Sequence, residues 1–295
     1  LKPHSLEDII AGISLYRPGP MDFIPQYIRG KNDPSSITYD CPQLEPILKP
    51  TYGCIVYQEQ VMQIVRDLGG YTLGRSDLLR RAMSKKKGDV MKKERQIFVY
   101  GDDEAGVPGC VRNGIDEKTA NKIYDEMIDF AKYAFNKSHA AAYAVVAYQT
   151  AWLKYYYPVE FMAALMTSVI ENPSKVAEYI YACRQMNIRI LQPDINKGEA
   201  DFSVDDGNIR YGLAAIKSIG KPVIHAIVEE REAYGPYRNL EDFITRLAPK
   251  DVLNKRTIEN FIKSGALDTL GGTRKQFMSI YIQIVDHVNQ EKKYS

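Results

Sequence analysis

The feature that most limits how this chain can fold is the helical spacing of its apolar residues, interrupted at short intervals by proline and glycine. The clearest example is the segment 57–68, whose apolar residues fall on one helical face at Val61, Ile64, Val65 and Leu68. Gly69 and Gly70 follow directly and predict the end of that helix. The pattern predicts a chain built mainly of α-helices.

The remaining pattern predicts further helices and one small β-structure. Closely spaced prolines in residues 1–60 favour short helices joined by ordered turns. We expect more helices at about 74–97, 116–130, 140–156, 159–169 and 175–186, with a loop at 101–114. A short strand is expected at 188–191, followed by a hairpin of strands 202–204 and 209–211. The Asn-Pro-Ser segment 172–174 predicts a hinge between two domains, 1–172 and 173–295.

The apolar run Ala140–Leu153 raises the question of a membrane span. It is about four residues too short to cross a bilayer. We expect instead a buried helix and no membrane partner. No secretory signal is visible at the start of the chain, and the first residue, Leu1, suggests an excerpt of a longer protein or a processed terminus.

The cysteines suggest a reducing environment. The chain has four cysteines, too widely scattered for a zinc clip: Cys41, Cys54, Cys110 and Cys183. Free and mostly buried thiols are expected, with a cytoplasmic location. With 45% hydrophobic and 26% charged residues, the composition is that of a globular protein.

Charge is distributed unevenly along the chain. The net charge is only +2, but residues 75–95 carry nine basic and three acidic residues, a local net of +6. The rest of the chain has 30 basic and 34 acidic residues. A positive segment on a mildly acidic body can attract polyanions locally.

Within this basic segment, residues 78–87 (LLRRAMSKKK) combine cations with apolar residues. On a helix, Arg81 and Lys85 share a face, with Arg80 beside it. Guanidinium groups pair well with phosphate, so this face could bind a triphosphate or a DNA backbone. The alternative is a solvated surface helix. The interleaved Leu78, Leu79, Ala82 and Met83 favour a packed helix that holds the cations in place.

A second candidate is the segment 135–139 (FNKSH), which lies just before the long apolar helix. It combines an aromatic ring, a cation, a hydroxyl and an imidazole, at Phe135, Lys137, Ser138 and His139. The N–H groups and positive end of a helix favour anions. Simple capping of the helix by Asn136 or Ser138 is the alternative, and both can hold together.

A third candidate lies at 213–232, where a short helix, a tight turn and a second helix are expected. The turn residues Lys217, Ser218, Ile219, Gly220 and Lys221 are similar to the helix-hairpin-helix motif, whose backbone N–H groups bind phosphate. The usual motif has two glycines; here Ser218 replaces the first, and serine resists positive φ. Replacing Gly220 by a β-branched residue is expected to disturb the hairpin backbone and weaken DNA binding. A second unit is expected at 258–268, preceded by Lys255 and Arg256, and ordinary helix hairpins are the alternative.

No motif for catalysis or metal binding accompanies these segments. The chain has no P-loop, no GxGxxG and no HExxH, and its four histidines are dispersed. No close Asp-x-Asp pair suggests two-metal phosphoryl transfer. We therefore expect no metal site and no catalytic residue in this chain. The residues alone indicate a mostly helical binder of nucleic acid or nucleotides.

Five strings occur together in one order that resembles a known family. They are SLYRPGPM (14–21), YGCIVYQEQ (52–60), LRRAM (79–83), FNKSHAAAY (135–143) and YQTAWLK (148–154). Together they resemble the bacterial DNA polymerase III alpha subunit, of the C-family of replicative polymerases. The resemblance covers nearly the whole chain. It implies a multi-helical fingers domain followed by a small helix-hairpin-helix segment with a minor β-hairpin.

The resemblance also implies roles for the candidate residues. Arg80, Arg81 and Lys85 would contact the triphosphate of the incoming dNTP, and the pocket would be shaped by Arg17, Phe135, Lys137, Ser138 and His139. Duplex DNA of the primer–template would lie on the hairpin 217–221 with Lys255 and Arg256. The catalytic aspartates and their Mg²⁺ would belong to a palm upstream of Leu1. The sliding clamp and other replisome subunits would bind parts outside this chain.

Two other classes of protein remain as alternatives. One is a non-enzymatic DNA-binding module that shares only the helix-hairpin-helix, although such a module has no need of the finger-like strings. The other is a structural scaffold, which would show no salt-sensitive DNA binding. As part of a polymerase, this chain alone is expected not to extend primers.

Overall fold

The computed structural model describes residues 1–294 and is mainly α-helical, as predicted. Within those residues there are fourteen α-helices and three short strands. The helices are α1 Leu6–Leu15, α2 Ile24–Asn32, α3 Glu45–Leu48, α4 Gln58–Gly69, α5 Leu73–Ser84, α6 Gly88–Tyr100, α7 Glu117–Ala131, α8 Lys137–Tyr156, α9 Pro158–Ser168, α10 Pro173–Gln185, α11 Lys221–Tyr234, α12 Leu240–Leu247, α13 Lys255–Ser264 and α14 Arg274–Tyr294. The strands are β1 Ile190–Leu191, β2 Ser203–Asp205 and β3 Asn208–Arg210.

The chain forms two compact units, and the first is Leu1–Gln149. Its centre is α4, which packs against α3, α5, α6 and α7. The helical face predicted for this segment is buried, with Val61, Ile64, Val65 and Leu68 all in the core. The glycine stop is also confirmed. Gly70 adopts φ +77°, and a Cβ there would lie 2.5 Å from the Pro108 ring, so only glycine fits.

A buried polar cluster fixes the first two helices of this unit. The carboxylate of Asp8, on α1, forms an ion pair of 3.0 Å with Lys31 on α2, and both side chains are almost fully buried. Asp8 also accepts a hydrogen bond of 2.9 Å from the Tyr27 hydroxyl. Burial by itself raises the pKa of Asp8, but the hydrogen bonds from the His4 amide, Lys31 and Tyr27 outweigh it and the pKa is lowered. The cluster therefore favours the charged carboxylate in the folded chain.

We expect Asp8→Asn to destabilise the chain by about 2 kcal/mol near neutral pH, because hydrogen bonds to buried charged groups are stronger than neutral ones. Since the folded pKa lies below the unfolded one, the contribution of Asp8 is present above the unfolded pKa and lost as pH falls through the folded pKa. The difference in the free energy of unfolding between the native chain and Asp8→Asn should therefore become smaller in acid. Denaturant unfolding near neutral pH and in acid measures this difference. Asp103→Asn is the control, because Asp103 lies in an exposed ion pair with Arg112.

The second compact unit begins at Thr150. Its small sheet has the order β1-β3-β2, with β1 parallel and β2 antiparallel to β3. The β2–β3 hairpin turns at Asp206 and Gly207, which both have positive φ, at +49° and +75°. This is the two-residue hairpin turn that the sequence predicted. The sheet packs on α9, while α10 packs on the same helix.

The remaining helices of the second unit surround a separate core. α12 and α13 pack against α14, and their rings Phe243 and Phe261 are fully buried and meet edge to face. α13 ends at Gly265 in the left-handed conformation, φ +87°. This core supports the loop that precedes α11.

The structure corrects two expectations about the longer helices. The basic helix expected at 74–97 is two helices, α5 and α6, separated at residues 85–87, where Lys86 has φ +52°. The apolar helix expected to be buried, α8, is mostly exposed. Only Ala140 and Ala144 are buried in it, while Tyr148 and Trp152 are about half exposed. Among the described residues no helix is both long and apolar enough to cross a membrane.

The boundary between domains was placed by sequence at residues 172 and 173. Compactness divides the chain within α8, between Gln149 and Thr150. Residue 172 itself caps α10, because the Asn172 side chain accepts a hydrogen bond of 3.1 Å from the Lys175 amide. The functional division at 172 and 173 stays a prediction.

The four cysteines are free and buried, as predicted. Burial raises the pKa of Cys54 to about 11. Burial also raises the pKa of Cys110 to about 12. These thiols are therefore protonated and unreactive at neutral pH.

Candidate nucleotide and nucleic-acid sites

Arg80, on α5, is held in a defined position in the first unit. Its guanidinium donates to Asp77, at 3.0 and 2.7 Å, and to the side-chain carbonyl of Gln58, at 3.2 Å. Only a fifth of its side chain is exposed. The face of α5 that carries Leu79, Ala82 and Met83 is buried, which fixes the helix beneath it. This arginine is therefore a pre-oriented cation and not a mobile surface group.

Arg81 and Lys85 are less restrained than Arg80. Arg81 also pairs with Asp77, at 2.8 Å, but 62% of its side chain is exposed. Lys85 is exposed and is the C-cap of α5, directly after its last helical residue. Its amide donates to the Arg81 carbonyl at 3.1 Å, which keeps the two residues adjacent. Leu78, expected to pack, is 66% exposed.

Gln58 joins Arg80 to the segment before α8. Its side-chain oxygen accepts from Arg80, and its side-chain nitrogen donates to the Ala134 carbonyl at 3.3 Å. Its backbone amide donates to the Phe135 carbonyl at 3.0 Å, and the Phe135 amide donates to Val56 at 3.1 Å. The basic helix and the 135–139 segment, 55 residues apart in sequence at Arg80 and Phe135, therefore meet at the start of α4.

Arg17 joins the same cluster from the N-terminal region. Its guanidinium lies 4.6 Å from the centre of the Phe135 ring and also donates to the Tyr133 carbonyl. The ring of His139 is 5.5 Å from that of Phe135 and 4.9 Å from that of Tyr143. The structure thus brings together an arginine, an aromatic ring and an exposed imidazole.

The N-terminus of α8 is occupied by side chains of the chain itself. Asn136 caps the helix by accepting from the His139 amide at 2.9 Å, which selects Asn136 of the two predicted caps. The Glu59 carboxylate accepts from the Lys137 amide at 3.0 and 3.2 Å. The Lys137 ammonium pairs with Glu7 at 3.2 Å. The anion-binding groups predicted here are thus partly satisfied internally, while Ser138 and His139 are exposed.

In the second unit, the predicted hairpin is the loop between a single 3₁₀ turn, Leu213–Ala215, and α11. The helix expected before the hairpin is thus only one turn long. Ser218 adopts φ +63°, the left-handed conformation usual for the glycine it replaces. Gly220 has φ −83°, and a Cβ there would meet the Pro222 ring at an ordinary van der Waals distance of 3.6 Å, so the turn does not require glycine at this position. The constrained position is Ser218.

Core residues anchor this loop and leave its polar groups outside. Ile216 and Ile219 are buried in the core of the second unit, while Lys217, Ser218, Gly220 and Lys221 are exposed. Within residues 1–294 no group accepts a hydrogen bond from the backbone N–H of Ser218, Gly220 or Lys221. These N–H groups are free to bind an external acceptor such as a phosphate oxygen.

The predicted second unit contributes α13, whose first turn lies beside the loop. Arg256 donates to the Ser218 hydroxyl at 3.4 Å, and Asn260 donates to the Lys217 carbonyl at 3.0 Å. Lys255 pairs with Asp286 on α14 at 2.8 Å. The loop and the first turn of α13 together carry four cations: Lys217, Lys221, Lys255 and Arg256.

Sequence reasoning missed Asp77, Gln58 and Asn260, which position these candidates. Asp77 could have been found, because it precedes Arg80 and Arg81 by three and four residues, the spacing of helical ion pairs. Gln58 and Asn260 act on residues 22 and 43 positions away. No local pattern identifies such pairs.

No group of His, Cys, Asp and Glu side chains in residues 1–294 could hold a metal ion. The described residues therefore do not form a site that fits Mg²⁺.

The sequence is similar to known proteins over nearly its whole length. Residues 1–106 match the bacterial DNA polymerase III alpha subunit finger domain, and residues 187–277 match the helix-hairpin-helix motif. The chain is 49% identical over 285 residues to the DNA polymerase III subunit alpha of Thermus aquaticus, covering 95% of this chain and 23% of that protein. For the protein of the same name from Pseudomonas aeruginosa the identity is 47%, covering 97% of this chain and 24% of the relative. The Borreliella burgdorferi relative is 45% identical, covering 99% and 25%.

The chain thus contains one segment similar to a polymerase finger domain and one similar to a helix-hairpin-helix motif. It spans about a quarter of the length of the curated relatives it matches. Over nearly all its residues it is related to a segment of the bacterial DNA polymerase III alpha subunit, which confirms the resemblance seen in the five strings.

Proposed function

We propose that this chain supplies the fingers and a duplex-binding segment of a DNA-directed DNA polymerase that replicates bacterial DNA. The observation that carries the proposal is the meeting of Arg17, Arg80 and the 135–139 segment at the start of α4. These groups are far apart in sequence, and they belong to strings that resemble the finger domain. A solvated basic helix would not need this arrangement.

In the proposed site the cations of α5 bind the triphosphate of an incoming dNTP. Arg80 is pre-oriented by Asp77 and Gln58, so little side-chain freedom is lost on binding. Arg81 and Lys85 are more exposed and reach the phosphates by exchanging water or Asp77 for them. Arg17, Phe135, Lys137, Ser138 and His139 form the wall of the pocket, with Phe135 and His139 offering rings to the nucleotide.

The surface of the second unit is proposed to bind the backbone of duplex primer–template DNA. The free N–H groups of the loop 217–221 donate to phosphate oxygens, and Lys217, Lys221, Lys255 and Arg256 supply positive charge around them. Such contacts follow the backbone and read no bases. Binding should therefore have little sequence preference.

The chemistry itself belongs to other parts of the proposed polymerase. A palm would carry the catalytic carboxylates and Mg²⁺, which supplies charge stabilisation in phosphoryl transfer. The sliding clamp and other replisome subunits would bind outside these residues. What this chain contributes is the binding and orientation of the nucleotide and the duplex.

Duplex binding by this chain tests the proposal directly. We expect Lys217→Ala together with Lys221→Ala to weaken binding at least about tenfold at moderate salt, because two phosphate neutralisations are lost. Fluorescence anisotropy with a labelled duplex measures the affinity. Lys250→Ala, in an exposed ion pair with Glu229 in the same unit, is the control and should bind as the native chain does. Equal affinity of the double variant and the native chain contradicts the assignment of the loop.

A further inference from the structure

The loop 217–221 is held from outside by two side chains of α13. Asn260 donates to the Lys217 carbonyl at 3.0 Å, and Arg256 donates to the Ser218 hydroxyl at 3.4 Å. The two residues are four apart on α13 and therefore lie on the same face of that helix. Their contacts fall on the two adjacent residues at the start of the loop.

This part of the loop needs an external constraint. Ser218 has φ +63°, a conformation that costs free energy for a residue with a Cβ. Ile219 anchors the far side of Ser218 in the core, but Lys217 and Ser218 are both exposed. The hydrogen bond from Asn260 fixes the near side, because it holds the carbonyl of the peptide that joins Lys217 to Ser218.

Fixing that carbonyl also fixes an N–H group. The C=O of Lys217 and the N–H of Ser218 belong to one planar trans peptide, so they point in opposite directions. The hydrogen bond from Asn260 holds the Lys217 carbonyl toward α13, so the Ser218 N–H must point away from α13. That N–H has no acceptor among residues 1–294.

We propose that Asn260 is a positioning residue for duplex DNA binding: by holding the Lys217 carbonyl it aims the Ser218 N–H at a DNA phosphate. Asn260 itself does not contact the DNA. The inference rests on the proposed duplex binding by the loop and adds the residue that sets its geometry. It also explains why α13 accompanies the loop, since α13 holds the backbone in shape as well as supplying charge.

The test measures two quantities for this whole chain and a labelled duplex: the affinity and the dependence of that affinity on salt. Neutralised phosphates determine the slope of log K against log salt, whereas an N–H contact adds affinity without releasing counterions. We expect Asn260→Ala to weaken binding about fivefold with an unchanged slope. Lys217→Ala should instead lower the magnitude of the slope by about 0.9. Asn260→Leu, which keeps the volume of the side chain, should behave like Asn260→Ala.

A matched control separates positioning from a general loss of structure. Asn196, in the same unit, also forms side-chain hydrogen bonds to a distant backbone. It donates to the Tyr237 carbonyl at 2.9 Å and accepts from the Tyr237 amide at 2.8 Å. Asn196→Ala should retain native DNA affinity, with thermal unfolding reporting stability for every variant. Native affinity in both Asn260 variants, or equal weakening in the Asn260 and Asn196 variants, overturns the positioning role. Absence of salt-dependent binding by the native chain instead removes the proposed duplex binding, and the positioning role with it.

Discussion

Replacing Arg80 and Arg81 by alanine in a complete polymerase that contains this segment should lower kcat/KM for the incoming nucleotide about 100-fold. The reason is that the two guanidinium groups would stabilise charge on the triphosphate in the transition state by about 3 kcal/mol, within the range for such donors. Steady-state primer extension at varied nucleotide concentration measures the change. Primer–template affinity should persist, because the loop 217–221 and α13 are untouched.

The structure separates the contributions of the two arginines. Arg80 is restrained by Asp77 and Gln58, whereas Arg81 is largely exposed and shares only Asp77. We therefore expect Arg80→Ala alone to account for more of the loss than Arg81→Ala alone, since a pre-oriented cation loses less freedom on binding.

Arg112→Ala is the matched control for these variants. Arg112 lies in the same compact unit and pairs with an exposed carboxylate, Asp103, which is not one of the candidate pocket residues. It should leave both kcat and KM unchanged. If the double variant at positions 80 and 81 extends primers with native kinetic constants, α5 presents only a solvated basic face, and its proposed role in nucleotide binding is wrong.

The elements of the fold were largely readable from local sequence. The apolar face of α4 and its stop at Gly70, the β2–β3 hairpin around Asp206 and Gly207, and the start of α11 near Pro222 all depend on residues close together in the chain. Helical spacing, turn residues and caps act over a few positions, so a single sequence contains them. The approximate places of the candidate sites followed from the five strings and from the turn residues 217–221.

Burial and long-range contacts were not readable in this way. The apolar run in α8 correctly indicated a helix but wrongly indicated a buried one, because burial depends on a facing surface, and only Ala140 and Ala144 meet one in residues 1–294. The lysines at 85–87 favour helix individually, yet the chain turns there between α5 and α6. Packing of both helices against α4 takes precedence over that local preference.

Ser218 illustrates why the site could not be fully derived from the motif. The sequence indicated that serine would resist the positive φ of the first hairpin glycine, and that a β-branched residue at Gly220 would disturb the hairpin. In the structure Ser218 adopts that φ, supported by Arg256 and by Asn260 on the preceding carbonyl. Glycine adopts this φ without support, whereas serine needs contacts that hold it there. Distant residues supply those contacts, so the departure from the motif is tolerated.

Duplex DNA binding by this chain should fall about 100-fold between roughly 50 and 200 mM monovalent salt. The candidate surface carries four cations, Lys217, Lys221, Lys255 and Arg256, and each phosphate neutralised contributes about −0.9 to the slope of log K against log salt. Four contacts thus predict a slope of about −3.6. Lys255 is already paired with Asp286. Asp286→Asn should free Lys255 and strengthen binding modestly, while the slope stays at about −3.6.

Anisotropy titrations with duplexes of unrelated sequence measure the slope and the sequence preference together. Similar affinity for all duplexes is expected, because backbone N–H groups and ammonium groups contact phosphates and not base edges. Lys175→Ala, which removes an exposed lysine paired with Glu178, should leave the slope unchanged. A slope near zero would mean that the four cations do not meet phosphates. The surface formed by the loop 217–221 and α13 would then be a solvated face of a helical scaffold, the class of protein that lacks salt-sensitive DNA binding.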